Sequence, residues 1–480
     1  MRQENDFLGT VQLPDDALYG INAYRASLNF PDTTRFFNEW YRAVGSVKKA
    51  CYLTYRTYAE TCRIKSPGKA FPNPLFEPAI VDALVEAASE VEKGLHFTHF
   101  IVPAIQGGAG TSINMNVNEI IANRALQFMG YSPGEYQFIH PIEHANVFQS
   151  TNDVVPASLR VACLQLLNEL EASVNGLRSS MEALESNSRN HLRVAFTEMQ
   201  EAVPSTFGRL FSTYNDALSR DWWRISKCSE RIKTVNLGGS AIGSGITVPS
   251  VFIRDVARTL HQITGLPVSR AENLIDDTCN LDPLVEVHAI LKAHAVNLEK
   301  ISADIRLLSS DLFKNRELHI PPLQTGSSIM PGKVNPVIPE FIISAVHKIY
   351  SNDALISGLC GQGNLELNAY LPVIGHALID SLKLLIACDH TMHKNLISGI
   401  IITDSGSTEK LLLHPSITTA LVPYIGYIKA AELSRLMRDK DISIIEANQV
   451  LQLISKDKIE KIISRDNLMR EGFSINDIME

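Results

Sequence analysis

Five runs of this chain repeat apolar residues at helical spacing over more than twenty positions each, and that feature limits the folds open to it. In the run at 157–185, ASLRVACLQLLNELEASVNGLRSSMEALE, apolar side chains recur at 159, 163, 166, 167, 170, 174 and 177. This is the period of one helix face. A helix of that length spans about 43 Å at 1.5 Å per residue. An apolar stripe so long must be covered by other helices, because packing and not propensity holds such helices together. Residues 206–234, 283–312, 338–358 and 369–396 read the same way, and strand signals are scarce. The expectation is a mainly α protein built on a central bundle of five long helices.

The text on either side is different. The first stretch mixes short helical pieces with Pro67, Pro72, Pro74 and the Gly-rich QGGAGTS at 106–112. Beyond about 397 come shorter amphipathic helices and a charged end, KDKIEKIISRDNLMREGFSINDIME. Three domains are expected: residues 1–148 mixed, 149–397 the helical bundle, and 398–480 a small helical domain. No repeat of 20–50 residues is visible.

Charge and cysteine content narrow the function. The 44 basic and 52 acidic residues leave a net charge of −8 with no basic cluster, which argues against a nucleic-acid partner. The seven cysteines are scattered, with no C-x-x-C pair and no zinc spacing, as suits a reducing compartment. The start, MRQENDFLGT, has neither a secretory nor a transit pattern, so a cytoplasmic location is expected. The most apolar helical stretch, LPVIGHALIDSLKLLIAC, carries His376, Asp380 and Lys383 and reads as a core helix, not a membrane span.

Three segments interrupt the helical pattern with glycine, hydroxyls and amides: Gly107–Asn116, Gln149–Asp153 and Gly326–Pro336. Each places backbone N–H groups and polar side chains beside a helix start, a combination that binds carboxylates or phosphates. Taken singly, each also reads as ordinary N-capping. In the third, Gly326, Pro331 and Gly332 describe a mobile loop with a fixed turn, of the kind that closes over substrates. Ser327 or Ser328 there could act as nucleophile or base, with Lys333 as the nearby cation. No G-x-S-x-G elbow surrounds either serine, and QGGAGTS lacks the Gly-Lys-Ser/Thr of a P-loop.

GSSIMPGKVNP resembles the signature loop of the aspartase/fumarase superfamily. LPDDALYGINAYRASLNF at 13–30, GGAGTSINMNVNEIIANRA, QSTNDVVPASLR and NLGGSAIGSGIT are similar to further motifs of that family, in the same order, to about residue 475. QGGAGTS, GEYQFIHP, QSTND, KVNPVIPE and NLELNAYLPVIG lean towards its aspartate ammonia-lyases. The resemblance implies a three-domain fold assembled as a homotetramer with a twenty-helix core and active sites shared between subunits. It also implies anti β-elimination of ammonia from L-aspartate to give fumarate, reversibly. Alternatives within the resemblance are a class II fumarate hydratase, a substituted-aspartate lyase, or a non-catalytic structural relative.

The resemblance assigns roles residue by residue. Ser327 matches the general base, with Ser328 assisting at the substrate carboxylate. Thr111, Ser150 and Thr151 match the groups that hold the β-carboxylate as charge develops on it. Lys333 and Asn335 match binders of the α-carboxylate, and Asn152 and Thr197 match residues near the amino group. Arg25 is a candidate binder or loop anchor, against a plain surface salt bridge. No organic cofactor is implied, since the substrate's own carboxylate is the electron sink; activation by a divalent cation stays open.

One departure stands out. FTEMQE occupies 196–201 where the family usually reads RTHLQD or RTQLQD, so Glu198 stands in place of His or Gln. Glu198 could pair with the substrate ammonium, share a proton with Glu340, or simply point into solvent. His140 and His144 fall where some relatives hold a second anion, and read here as structural histidines; Trp222 and Trp223 read as bundle packing.

Overall fold

The computed structural model describes the chain except residues 70, 72–73, 314–315, 404–406 and 480, and the side chains of 407–409. It opens with a hairpin, β1 (Arg2–Asp6) and β2 (Gly9–Leu13), paired antiparallel from Arg2 against Leu13 to Asp6 against Gly9. Helices α1 (Ile21–Asn29), α2 (Asn38–Lys65), α3 (Pro78–Glu92) and α4 (Thr111–Phe128) follow. The five long runs appear as helices: α5 (Thr151–Ser188), α6 (Phe207–Ile225), α10 (Asp282–Leu308), α11 (Val337–Cys360) and α12 (Leu371–Thr391). Between α6 and α10 lie the shorter α7 (Ser229–Ile232), α8 (Ser250–Thr264) and α9 (Leu274–Cys279). The architecture is mainly helical, as the periodicity requires.

Two compact units divide the chain. The first holds Met1–Ala172, Asp221–Val296 and Ala345–Ala387. In it α2 packs on α3 and α8, and α3 on α4. Gly45 sets the α2–α3 approach: a Cβ there would lie 2.4 Å from the Glu92 backbone nitrogen, so the two backbones meet where only glycine fits. Phe36, Trp40 and Phe100 form an aromatic cluster with centroids 4.6–4.9 Å apart, and the Trp40 indole donates to Ser158 Oγ at 2.9 Å. Lys48 is fully buried here and donates to Asn146 Oδ1 at 3.2 Å. Burial pushes the Lys48 ammonium down to about 7.

The second unit holds Ser173–Arg220, Asn297–Ser344 and Cys388–Glu480. Its core gathers Leu192, Leu411, Ile417, Leu421, Leu433, Met437, Ile444, Ile459 and Ile462, mostly from the short C-terminal helices. Against this core stands a hairpin, β3 (Leu192–Thr197) and β4 (Gln200–Thr206), with Leu192 opposite Thr206 and Thr197 opposite Gln200. Among the described residues the sheets are all two-stranded.

The segment Leu371–Gly399 is long and apolar enough to cross a membrane, but 67% of its most apolar window is buried inside the protein. It is a core helix, as the charged residues within it suggest. Trp223 differs from expectation: it is 61% exposed and does not pack inside the bundle.

Candidate active site

The residues singled out from the sequence fall into two groups, one in each unit. In the first unit, Gly108, Ala109 and Gly110 take φ of +84°, +58° and +93° in succession. This left-handed run turns the chain sharply into α4, whose first turn has no side-chain cap. The Thr111 N–H donates to the Gly108 carbonyl at 3.0 Å, while the positive end of the helix dipole still favours an anion. Thr111, exposed at this start, donates its hydroxyl to the Gly108 carbonyl at 2.9 Å. A Cβ on Gly110 would lie 2.9 Å from Val155 Cγ1, so glycine lets the α4 start abut the first turns of α5.

Ser150, Thr151 and Asn152 open α5. Ser150 Oγ accepts the Asn152 N–H at 3.3 Å, so the capping role of this serine is real. Asp153 organises the segment. It is fully buried, and its carboxylate accepts N–H bonds from Ser150 at 2.9 Å, Ser240 at 3.0 Å and Gly238 at 3.2 Å. Burial raises the Asp153 carboxyl to about 6, against the pull of those N–H donors and of Lys48. Asn152 adds a second tie, donating to the Ala241 carbonyl at 2.7 Å, and Asn236 donates to the Asn152 carbonyl at 2.8 Å. The QSTND and NLGGSAIGSG segments thus form one hydrogen-bonded body. Asp153 and Asn236 fall inside motifs quoted from the sequence, but neither has a role of its own there. The acid three residues after Ser150 was the available signal.

Arg25 is taken up locally. Its guanidinium makes a two-pronged contact with Asp6 at 2.9 and 3.0 Å and donates to the Gly9 carbonyl at 3.0 Å, pinning the β1–β2 hairpin to α1. His144 Nδ1 accepts the His140 N–H at 2.9 Å, and His140 Nδ1 accepts from Ile142 at 3.1 Å. Both rings serve the local backbone.

In the second unit, the loop 326–336 is a closed ring. Gly326 N–H donates to the Lys333 carbonyl at 2.7 Å, and the Asn335 side-chain amide donates to the Gly326 carbonyl at 2.8 Å. A Cβ on Gly326 would lie 2.8 Å from the Asn335 Cγ, so the neck closes only on glycine. Within the ring, Ser327 Oγ accepts N–H bonds from Ile329 at 3.2 Å and Met330 at 3.0 Å. Two N–H donors on one hydroxyl oxygen stabilise negative charge there. Ser328 and Lys333 are exposed on the same ring. Beneath it opens a cleft of roughly 860 Å³, lined among others by Lys333, Asn335, Arg306, His319 and Glu340.

Glu198 sits at the tip of the β3–β4 hairpin with Met199, at φ of +52° and +62°. Thr197, Glu198 and Met199 are all exposed. Two positive φ values make a type I′-like two-residue turn, here without its usual Asn or Gly. Glu340 is paired with Arg306 at 3.4 Å. Among the described residues, no group of three or more His, Cys, Asp or Glu side chains is placed to hold a metal ion.

Residues 9–350 match the family described as lyase, and residues 417–470 match the fumarase C C-terminus. The chain belongs to the aspartase/fumarase superfamily of lyases. This lyase is 34% identical to the aspartate ammonia-lyase of Helicobacter pylori over 473 residues, covering 98% of each chain. It is equally similar to the aspartate ammonia-lyase of Bacillus subtilis over 481 residues, covering 100% of this chain and 98% of that one. In structure it resembles a fumarate lyase:delta crystallin from Brucella melitensis, with a TM-score of 0.88, 33% identity and 97% and 98% of the two chains covered. It also resembles a class II fumarase from Schistosoma mansoni, with a TM-score of 0.88, 26% identity and 96% and 98% covered.

Proposed function

We propose that this lyase is an aspartate ammonia-lyase, removing ammonia from L-aspartate by anti β-elimination to give fumarate, with Ser327 as general base. The observation that carries the reading is the pair of N–H bonds from Ile329 and Met330 to Ser327 Oγ. A serine hydroxyl is too weakly acidic to serve as a base unless its alkoxide is stabilised, and two backbone donors supply that at no cost in reorganisation.

The rest follows from where charge develops. Ser327 takes the proton from the carbon beside the β-carboxylate, and that carboxylate gains a second negative charge. Thr111, Ser150, Thr151 and Ser328 donate to it, helped by the uncapped start of α4. Lys333 and Asn335 hold the α-carboxylate, and Asn152 and Thr197 lie towards the ammonium. Glu198, a carboxylate on an exposed tip, pairs with that ammonium. Collapse of the charge back through Cβ expels ammonia. The substrate's own carboxylate carries the electrons, so the chemistry calls for no organic cofactor. The active unit is a homotetramer in which subunits share each site, in the cytoplasm.

The test is fumarate absorbance in the ultraviolet with L-aspartate, then with malate, as sole substrate. Turnover of aspartate alone supports the reading. Turnover of malate alone assigns a hydratase, and turnover of neither sinks the aspartase reading and leaves a substituted-aspartate lyase or a non-catalytic relative. Light scattering at micromolar concentration checks the assembly, and an active monomer refutes shared sites.

A further inference from the structure

We infer that the second unit carries a separate binding site for a small organic anion with an apolar body, in the cleft behind the β3–β4 hairpin. The cleft measures roughly 350 Å³, within the range of small-ligand pockets. Its walls come from β3, from the segment after α10 and from residues 410–414.

The chemistry of the walls selects the ligand. Phe196 meets Phe313 edge-on with centroids 5.4 Å apart, and Phe207 stands beside them in the lining. These rings suit an aromatic or aliphatic body. Arg193 lies over the Phe207 ring, its guanidinium carbon 5.3 Å from the centroid. Among the described residues, no carboxylate lies within ion-pair distance of Arg193. Burial pushes its guanidinium below the ordinary value, opposed by Tyr214, Asp304 and Glu317 at longer range. A desolvated cation without a paired anion is costly, and a bound anion relieves that cost.

Of the other charges lining the cleft, Glu317 and Lys410 are opposite in sign. Arg316 is paired with Asp311, and His414 with Glu201 at 2.6 Å. Arg193 therefore supplies one positive charge, and the ligand it fits is a monoanion such as a carboxylate. The strand that bears Arg193 and Phe196 runs on to Thr197 and the Glu198 turn. An occupant of this cleft would rest on the same hairpin that presents Glu198.

The probe is 3-phenylpropanoate, with 3-phenylpropanamide as its neutral counterpart, titrated calorimetrically into the full-length protein. The acid should bind at least tenfold more tightly than the amide, and saturating fumarate should leave that affinity unchanged. Arg193→Gln should bring the acid to the affinity of the amide, and Phe313→Ala should weaken both at least fivefold. Equal affinity for acid and amide, or displacement by fumarate, overturns the site. So does acid binding that survives both substitutions within twofold. The wild-type arms decide even where a variant fails to fold. Because the readout is binding and not turnover, this inference stands or falls apart from the proposed reaction.

Discussion

Arg306 Nη2 lies 3.4 Å from Glu340 Oε1, so the carboxylate that Glu198 was candidate to share a proton with already has a cationic neighbour. Glu198 itself stands on a turn of two residues with positive φ, exposed to solvent. These two placements favour a Glu198 that acts alone. Paired with an ammonium ion, it would help discriminate an amino acid from a hydroxy acid.

For Glu198→Gln, aspartate KM should rise more than kcat falls, the pattern of lost ground-state binding. Fumarate inhibition should stay unchanged or tighten, since a like charge has left the pocket. Both constants are measured from pH 6 to 9. A variant matching the parent in both leaves Glu198 a solvated side chain, and a shifted kcat profile with unchanged inhibition restores the shared proton.

Ser327→Ala should lower kcat far more than tenfold while leaving the fold and oligomeric state intact, because the side chain is small and half-buried on a loop. A loss under tenfold, or about 1.4 kcal/mol of barrier, removes Ser327 as the base. Circular dichroism and light scattering separate lost chemistry from lost structure.

Met199→Gly should stabilise the protein by about 0.5–1 kcal/mol. The left-handed backbone costs an L-residue roughly 1–2 kcal/mol, and part of that gain returns as glycine's greater entropy when unfolded. Denaturant midpoints of parent and variant give the difference, and a lower midpoint for glycine contradicts it.

The Lys48 ammonium should make stability depend on pH. Its folded value is about 7 against an ordinary 10.5, because burial outweighs the nearby Cys51 and Asp153. Between these values the unfolded chain holds a proton that the folded one lacks. Stability should therefore climb as pH rises through this window, and the penalty is fully present below about 7. Asp153 works in the opposite sense at lower pH. Its folded value of about 6 lies above 3.8, so its contribution is present below 3.8 and lost as pH rises through 6. Lys48→Met should flatten the upper slope, and Asn146 Oδ1 keeps its donors Asn114 and Asn118. Urea titrations from pH 6 to 10 test this, and an unchanged slope in the variant refutes it.

The long helices were legible because their periodicity is local. Their ends were less so. The first begins at Thr151 and not at 157, because Ser150 and Asp153 supply a cap that apolar spacing does not register. The run from 206 stops at Ile225, although Cys228 and Ile232 continue the buried pattern through a turn and a short helix. The β3–β4 hairpin was missed because Glu198-Met199 is not a turn sequence by composition, and Pro204 lies within its second strand. The roles of Arg25 and Asp153 depend on partners in other segments, Asp6 for one and Gly238 and Ser240 for the other. The loop at 326–336 was readable as a motif, whereas the N–H bonds to Ser327 Oγ come from its folded path.

Asp153 grips the chain at 238–240 by its amides and not by its side chains. The segment is therefore held by length and path, and largely not by composition. Gly238 needs its positive φ, and Gly243 could accept no Cβ, which would lie 2.3 Å from the Leu274 carbonyl oxygen. Exposed Ala241 and Ile242 between them could be rewritten by drift or by design. A single inserted residue, by contrast, would pull amides off the carboxylate and carry the start of α5 out of place. Evolution of selectivity along this edge would thus proceed by exchange of side chains at fixed chain length.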